Sequence, residues 1–126
     1  MSANRLTQSV VRFLNYNGFV AWNVYNGGVY DPRRQTYRKN PTQKHGVFDV
    51  CGFRKSDGRH IEIEIKWGRD KMSDHQLRHF DDLKKAGAIA YVCRTFDEFE
   101  QWFNELDSGG GSPANKKPNN GFGSSV

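Results

Sequence analysis

Cysteine is scarce in this chain: Cys51 and Cys93 are the only two in 126 residues. Too few for a disulfide framework, they read as reduced core residues of a cytoplasmic protein. No run of about 18 apolar residues occurs, which excludes a helical membrane span. The opening MSANRLTQSVVRFL lacks the basic start and unbroken apolar stretch of a secretory signal. Internal repeats are absent. Acids are absent from Asn4 to Asn17, and Asp31 is the one acid in the first 46 residues.

That imbalance has a direction. Residues 1–46 carry seven Lys/Arg against one acid, whereas 47–106 carry ten against twelve. The lead segment's +6 therefore exceeds the net charge of +5 and lies ahead of an acidic stretch. Such a lead segment suits a polyanionic partner, because neutralising phosphates releases counterions. It also suits plain solubility. Hydrophobic residues at 36% and aromatics at 13% suffice for one ordinary core. Residues 1–106 read as one domain. Residues 107–126, rich in Gly, Ser, Asn, Pro and Lys, read as a disordered tail.

The periodicities give an order of elements. Leu6, Val10, Phe13 and Leu14 make an apolar stripe over a helix at 3–17, stopped by Asn17-Gly18. A strand follows over 19–25. Residues 27–45 form a long polar segment with Arg33, Arg34, Arg38, Lys39 and Lys44, plus Tyr30 and Tyr37. A compact domain seldom keeps a structureless loop of that length without a use. Strands over 47–54 and 59–67 flank Ser56-Asp57-Gly58, an antiparallel hairpin. Ser73-Asp74-His75-Gln76 opens a helix with a capping box, Gly87 stops it, and 88–94 is a strand that completes a parallel crossover unit. Thr95-Phe96-Asp97-Glu98 opens the last helix, buried through Phe99, Trp102, Phe103 and Leu106.

The chemistry concentrates on His60-Ile61-Glu62-Ile63-Glu64-Ile65-Lys66. Side chains alternate along a strand, so Glu62, Glu64 and Lys66 share a face. If the neighbouring strand brings Asp49, carboxylates and an amine converge, as a hard divalent cation beside an activated water requires. By itself the stretch reads equally as a half-buried strand with a charged solvent side. Aspartate is disfavoured within strands and costly to bury unpaired, which singles out Asp49. Gln76 reads as the fourth member of its capping box. His75 and His79 lie one turn apart, but no further Cys or His pair completes a zinc site, and both are expected in solvent.

The order helix, three strands, helix, strand, helix resembles the α/β restriction-endonuclease-like fold, whose signature is PD-(D/E)xK. More closely it resembles the VRR-NUC family, nuclease domains found alone in phage and bacteria and appended to larger repair nucleases. The pieces that match are Phe13-Leu14 with Gly18, Trp22 to Gly28, Gly46-Val47-Phe48-Asp49-Val50, Glu62 to Lys66, Ser73 to Gln76 and Ala86-Gly87-Ala88. The resemblance implies an αβββαβ core plus a C-terminal helix. It implies that Asp49, Glu64 and the Ile65 carbonyl hold Mg2+, with Mn2+ able to substitute. Lys66 would position the attacking water and stabilise charge growing on phosphorus, and Gln76 would orient Lys66 or the water. Proline normally precedes the aspartate, and Phe48 stands there. The family commonly presents a glutamate from the first helix. This helix has none, leaving Gln8 or Asn4 as a neutral replacement. Gln8 is then a possible outer-shell group; Glu62, on the face of Glu64, could bind a second metal, relay through water from the outer shell, or form a structural salt bridge.

The expected activity is a Mg2+-dependent endonuclease on branched DNA such as flaps or four-way junctions, serving repair or recombination. Arg33, Arg34, Arg38, Lys39, Lys44, Arg69 and Lys71, with Trp67 nearby, are the expected DNA contacts. Stand-alone family members point to homodimers. The competing readings are a catalytically weak DNA-binding module and a small structural phage protein.

Overall fold

The computed structural model describes residues 1–24, 29–38, 42 and 44–106. Lys39 and the segment 107–126, expected to be a tail, lie outside the described residues. Ser2 starts α1 (Ala3–Tyr16) by accepting the Arg5 N–H through its hydroxyl at 3.2 Å. Leu6, Val10 and Leu14 are fully buried on one side of this helix. Gly18, with φ 87°, takes the left-handed conformation that turns the chain into β1 (Phe19–Asn23). The Asn15 amide then pairs with both backbone groups of Ala21, at 2.9 and 3.0 Å, pinning α1 to β1.

The 27–45 segment is not a plain loop. It contains a two-stranded antiparallel ribbon, β2 (Val29–Asp31) with β3 (Thr36–Arg38), separate from the main sheet. Tyr30 and Tyr37 face each other across it, a cross-strand aromatic pair of the kind that stabilises sheets. The turn is tightened by Asp31, which accepts the Arg33 N–H, and by Gln35 at φ 53°. The polar composition hid this pairing, and β3 is exposed along its whole length.

The main sheet comprises β1, β4 (Val50–Arg54), β5 (His60–Ile65) and β6 (Ile89–Cys93), in the order β1-β4-β5-β6. The first two pairings are antiparallel and the third is parallel. The expected hairpin and crossover are therefore both present. The crossover helix is α2 (Asp74–Lys85), and α3 (Phe96–Glu105) follows β6. Ser73 and Gln76 form the full reciprocal capping box, and Thr95 caps α3 by accepting the Glu98 N–H.

Two faces of the sheet carry different cargo. Ile61, Ile63 and Ile65 pack with α1 and with Phe99 of α3 in the main core. The opposite face packs Phe48, Leu83 and Ala90 with Met72, Phe80 and Ala88 under α2. Because β5 alternates, Glu62 and Glu64 point to this second face. They are 5% and 3% exposed, so the charged face of the strand lies beneath a helix and not in solvent.

Candidate active site

Strand β4 begins at Val50, one residue later than Asp49. The expected strand from 47 thus starts late, and the reason lies in the hydrogen bonds. Beyond the Val50–Ile63 pair the ladder between β4 and β5 is carried by side chains. The Asp49 N–H donates to Glu64 Oε1 at 3.2 Å, and the Ile65 N–H donates to Asp49 Oδ2 at 2.9 Å. One position back, the Phe48 N–H donates to Glu62 Oε1 at 3.3 Å. Carboxylates replace backbone carbonyls, so the two strands part where Asp49 and Glu64 face each other. Each strand stays held on its outer side: Val24 N–H donates to Asp49 O, and Lys66 N–H to Cys93 O.

Lys66 Nζ lies 3.2 Å from Glu64 Oε2, and Gln76 Nε2 donates to the same oxygen at 2.7 Å. Gln76 Oε1 meanwhile accepts the Ser73 N–H at 3.0 Å. The two readings of Gln76 are therefore compatible: one end of the amide caps α2 and the other holds Glu64. Gly46 lets the incoming chain lie against this same helix start. Its φ is 83°, and a Cβ there would stand 2.5 Å from the His75 carbonyl oxygen.

Glu62 is enclosed by imidazoles. His60 Nε2 is 2.7 Å from Oε2, and His79 Nε2 is 2.7 Å from Oε1. His79, expected in solvent, is 6% exposed. It follows Gln76 by three residues, which puts both on one side of α2, and they meet Glu62 and Glu64 respectively. That spacing was the available signal. His79 Nδ1 is buried without a hydrogen-bond partner among the described residues. The proton therefore sits on Nε2, toward the carboxylate. His75 is exposed as expected, its ring 5.1 Å from that of His45.

These neighbours push the two glutamates in opposite directions. Burial alone would raise the pKa of Glu62, but hydrogen bonds from His60 and His79 outweigh it and hold the carboxyl below its ordinary value. Glu64 is raised from 4.5 to about 7, first by burial and then by the charge of Asp49, with Lys66 pulling the other way. A buried carboxyl that faces a second acid ionises more easily when positive charge stands beside it. This is the environment a hard divalent cation relieves, and the oxygen donors of Asp49 and Glu64 suit one.

The VRR-NUC domain matches residues 30–97, more than half of the chain. The chain belongs to the VRR-NUC family. No curated protein matches it. The VRR-NUC match runs from the ribbon to the first turn of α3, so Asp49, Glu62, Glu64, Ile65, Lys66 and Gln76 all fall inside it. This nuclease-like family makes a nuclease the coarse assignment and DNA the implied substrate.

The remaining expected residues divide. Arg33, Arg34 and Arg38 are exposed on the ribbon, and Lys44, Arg69 and Lys71 are exposed on segments that flank Asp49 and Lys66. Gln8 is not brought to the carboxylates. It is exposed on α1, which packs on the isoleucine side of the sheet, and lines a hollow with Met1, Arg5, Ser9 and Arg12. Cys51, His60 and Glu62 place ligand atoms within 4.8 Å of one another, a set contributing a single cysteine that sequence reasoning did not anticipate. Burial and the Glu62 charge push the Cys51 thiol up to about 12. Among the described residues no helix is long and apolar enough to cross a membrane.

Proposed function

We propose that this VRR-NUC protein is a divalent-metal-dependent endonuclease that hydrolyses phosphodiester bonds in branched DNA. The observation that carries this reading is the meeting of Asp49, Glu64, Lys66 and Gln76 where β4 and β5 part. Asp49, Glu64 and the Ile65 carbonyl are the groups to hold Mg2+, with Mn2+ as a substitute. The bound cation supplies Lewis acidity and a nucleophilic water at neutral pH.

The chain's own groups do the rest. Asp49 and Glu64 supply the carboxylate oxygens that would hold the cation. Gln76 Nε2 holds Glu64 in one rotamer, and the capping bond at its other end keeps that amide from turning. Lys66 is 12% exposed at its side chain. Its ammonium stands ready to meet the negative charge that grows on the phosphoryl oxygens, where an oriented cation favours the transition state over the ground state. Glu62, satisfied by two histidines and the Phe48 N–H, acts as a brace for the backbone that carries Asp49, not as a ligand. Arg33, Arg34, Arg38, Lys44, Arg69 and Lys71 hold the phosphates that flank the scissile one. Two subunits related by a two-fold axis would set two such sites on opposed strands.

A second reading, a DNA-binding module with little turnover, is favoured by one feature. Helix α1 offers no acid, and Gln8 points elsewhere. Purified protein on linear, flapped and four-way DNA, with and without Mg2+, separates the two. Metal-dependent cleavage that vanishes in Asp49→Ala and Glu64→Ala supports the nuclease. Binding without cleavage in either Mg2+ or Mn2+ rejects it.

A further inference from the structure

The ribbon carries more than positive charge. Tyr30 and Tyr37 stand directly opposite each other on β2 and β3, 5.3 Å apart between ring centroids and at 67°. They are 50% and 66% exposed. A two-stranded ribbon is marginal in water by itself. The cross-strand pair helps hold the ribbon together, yet half or more of each tyrosine stays exposed. An edge-to-face pair leaves a ring face open to a third aromatic partner.

The surroundings indicate which partner. Tyr30, Asp31, Pro32, Arg33, Arg34 and Arg38 line an open hollow of about 390 Å3. That lies within the roughly 300–1,000 Å3 range of ligand sites. Asp31 is its one acid among the described residues. It sits 3.9 Å from Arg34, whose side chain is 79% exposed, so this contact does not tie up the guanidinium. Three arginines against one carboxylate disfavour a second copy of the same face and favour a polyanion. An aromatic wall beside guanidinium groups is complementary to one ligand chemistry in particular, a flat base joined to phosphate.

We infer that the ribbon is a capture site for an unpaired nucleotide, with Tyr30 stacking its base, Tyr37 bracing that ring edge-to-face, and Arg33, Arg34 and Arg38 holding the phosphates around it. Within a duplex, base faces are covered by their neighbours, so tyrosine rings reach them only where a strand is unpaired. This deepens the nuclease reading and rests on it for the identity of the polymer: the substrate is DNA with a displaced strand, and the ribbon selects it.

The test is binding in EDTA, where no cleavage is required. Wild type is titrated against a fluorescent duplex and against the same duplex bearing a single-stranded flap with 2-aminopurine at its base. The flap should bind more tightly and the 2-aminopurine emission should fall on stacking. Tyr30→Ala/Tyr37→Ala should lose flap affinity by roughly 5- to 150-fold per stacked base and leave duplex affinity within about twofold. Tyr30→Phe/Tyr37→Phe should retain the preference, since stacking needs the ring and not the hydroxyl. Equal wild-type affinity for both DNAs overturns the inference. So does an equal loss on both DNAs in the alanine variant, or a loss in the phenylalanine variant as large. A dimer that dissociates on Tyr→Ala with no change in DNA binding makes the face a self-association surface and overturns it too. Flap preference without cleavage in Mg2+ or Mn2+ would reject the nuclease reading and leave the capture site standing.

Discussion

Replacing Glu64 by glutamine tests the electrostatics of the site without any substrate. The Glu64 carboxyl rises from 4.5 to about 7 because it is buried and faces Asp49. In the folded protein it therefore keeps its proton at pH values where the unfolded chain has lost it. The sign follows from linkage. Its contribution is fully present below pH about 4.5 and is lost as pH rises through about 7. A shift of that size corresponds to on the order of 3 kcal/mol, at about 1.4 kcal/mol per pH unit. Glu64→Gln cannot ionise, so it escapes the loss. The amide also changes the acceptor seen by the Asp49 N–H, a roughly constant offset of about 1 kcal/mol, which cancels when two pH values are compared. Chemical denaturation of both proteins in EDTA at pH 4.5 and pH 8 supplies the comparison. Between those values the wild type should fall relative to the variant by on the order of 3 kcal/mol. Mg2+ at pH 8 should then stabilise the wild type by about 2.7 kcal/mol at a hundredfold excess over its Kd and leave Glu64→Gln almost unmoved. Parallel stability profiles in EDTA would refute the reasoning, because Glu64 would then carry no charge conflict for a cation to relieve.

Asp49→Ala and Glu64→Ala should abolish cleavage in a gel assay and keep the far-UV circular dichroism of the wild type. Lys66→Met should lower the single-turnover rate by a factor on the order of 100 or more with DNA affinity in Ca2+ little changed; an equal fall in both would make Lys66 a binding residue. Replacing Arg33, Arg34 and Arg38 together by alanine should reduce the slope of log affinity against log salt by roughly 2–3, measured by fluorescence anisotropy. His79→Ala leaves Glu62 buried with one donor fewer, so thermal unfolding should show a loss of about 2 kcal/mol.

The fold was largely legible because its signals are local. The stripe Leu6, Val10 and Leu14, the Asp57-Gly58 turn and the Ser73–Gln76 box each fix an element from a few residues, and the structure places α1, the β4–β5 hairpin and α2 on them. The ribbon was not legible, since Tyr30 and Tyr37 pair across a turn in a segment whose composition says only polar and basic. The buried face of β5 was not legible either. Glu62 and Glu64 on alternate positions describe a solvent face unless one knows that α2 covers them, and the cover is a tertiary fact.

The site shows where pattern reasoning reaches its edge. Glu64 and Lys66 are two residues apart on one strand, so their proximity follows from pleating alone. Asp49 joins them through the hairpin register, in which Val50 pairs with Ile63 and sets Asp49 beside Glu64. His79 could have been placed by the same logic. A helix that brings Gln76 to Glu64 must bring its next turn to the strand residue on the same face, which is Glu62. What the spacing could not give is the division of labour. Two glutamates on one face look alike in sequence, yet Glu62 has both oxygens engaged by histidines and the Phe48 N–H, whereas Glu64 faces a second carboxylate. The difference comes from His60 and His79 on one side and Asp49 on the other. On the proposed reading, a metal enters where the charges repel and not where they are already answered, which would make Glu64 the ligand and Glu62 the brace.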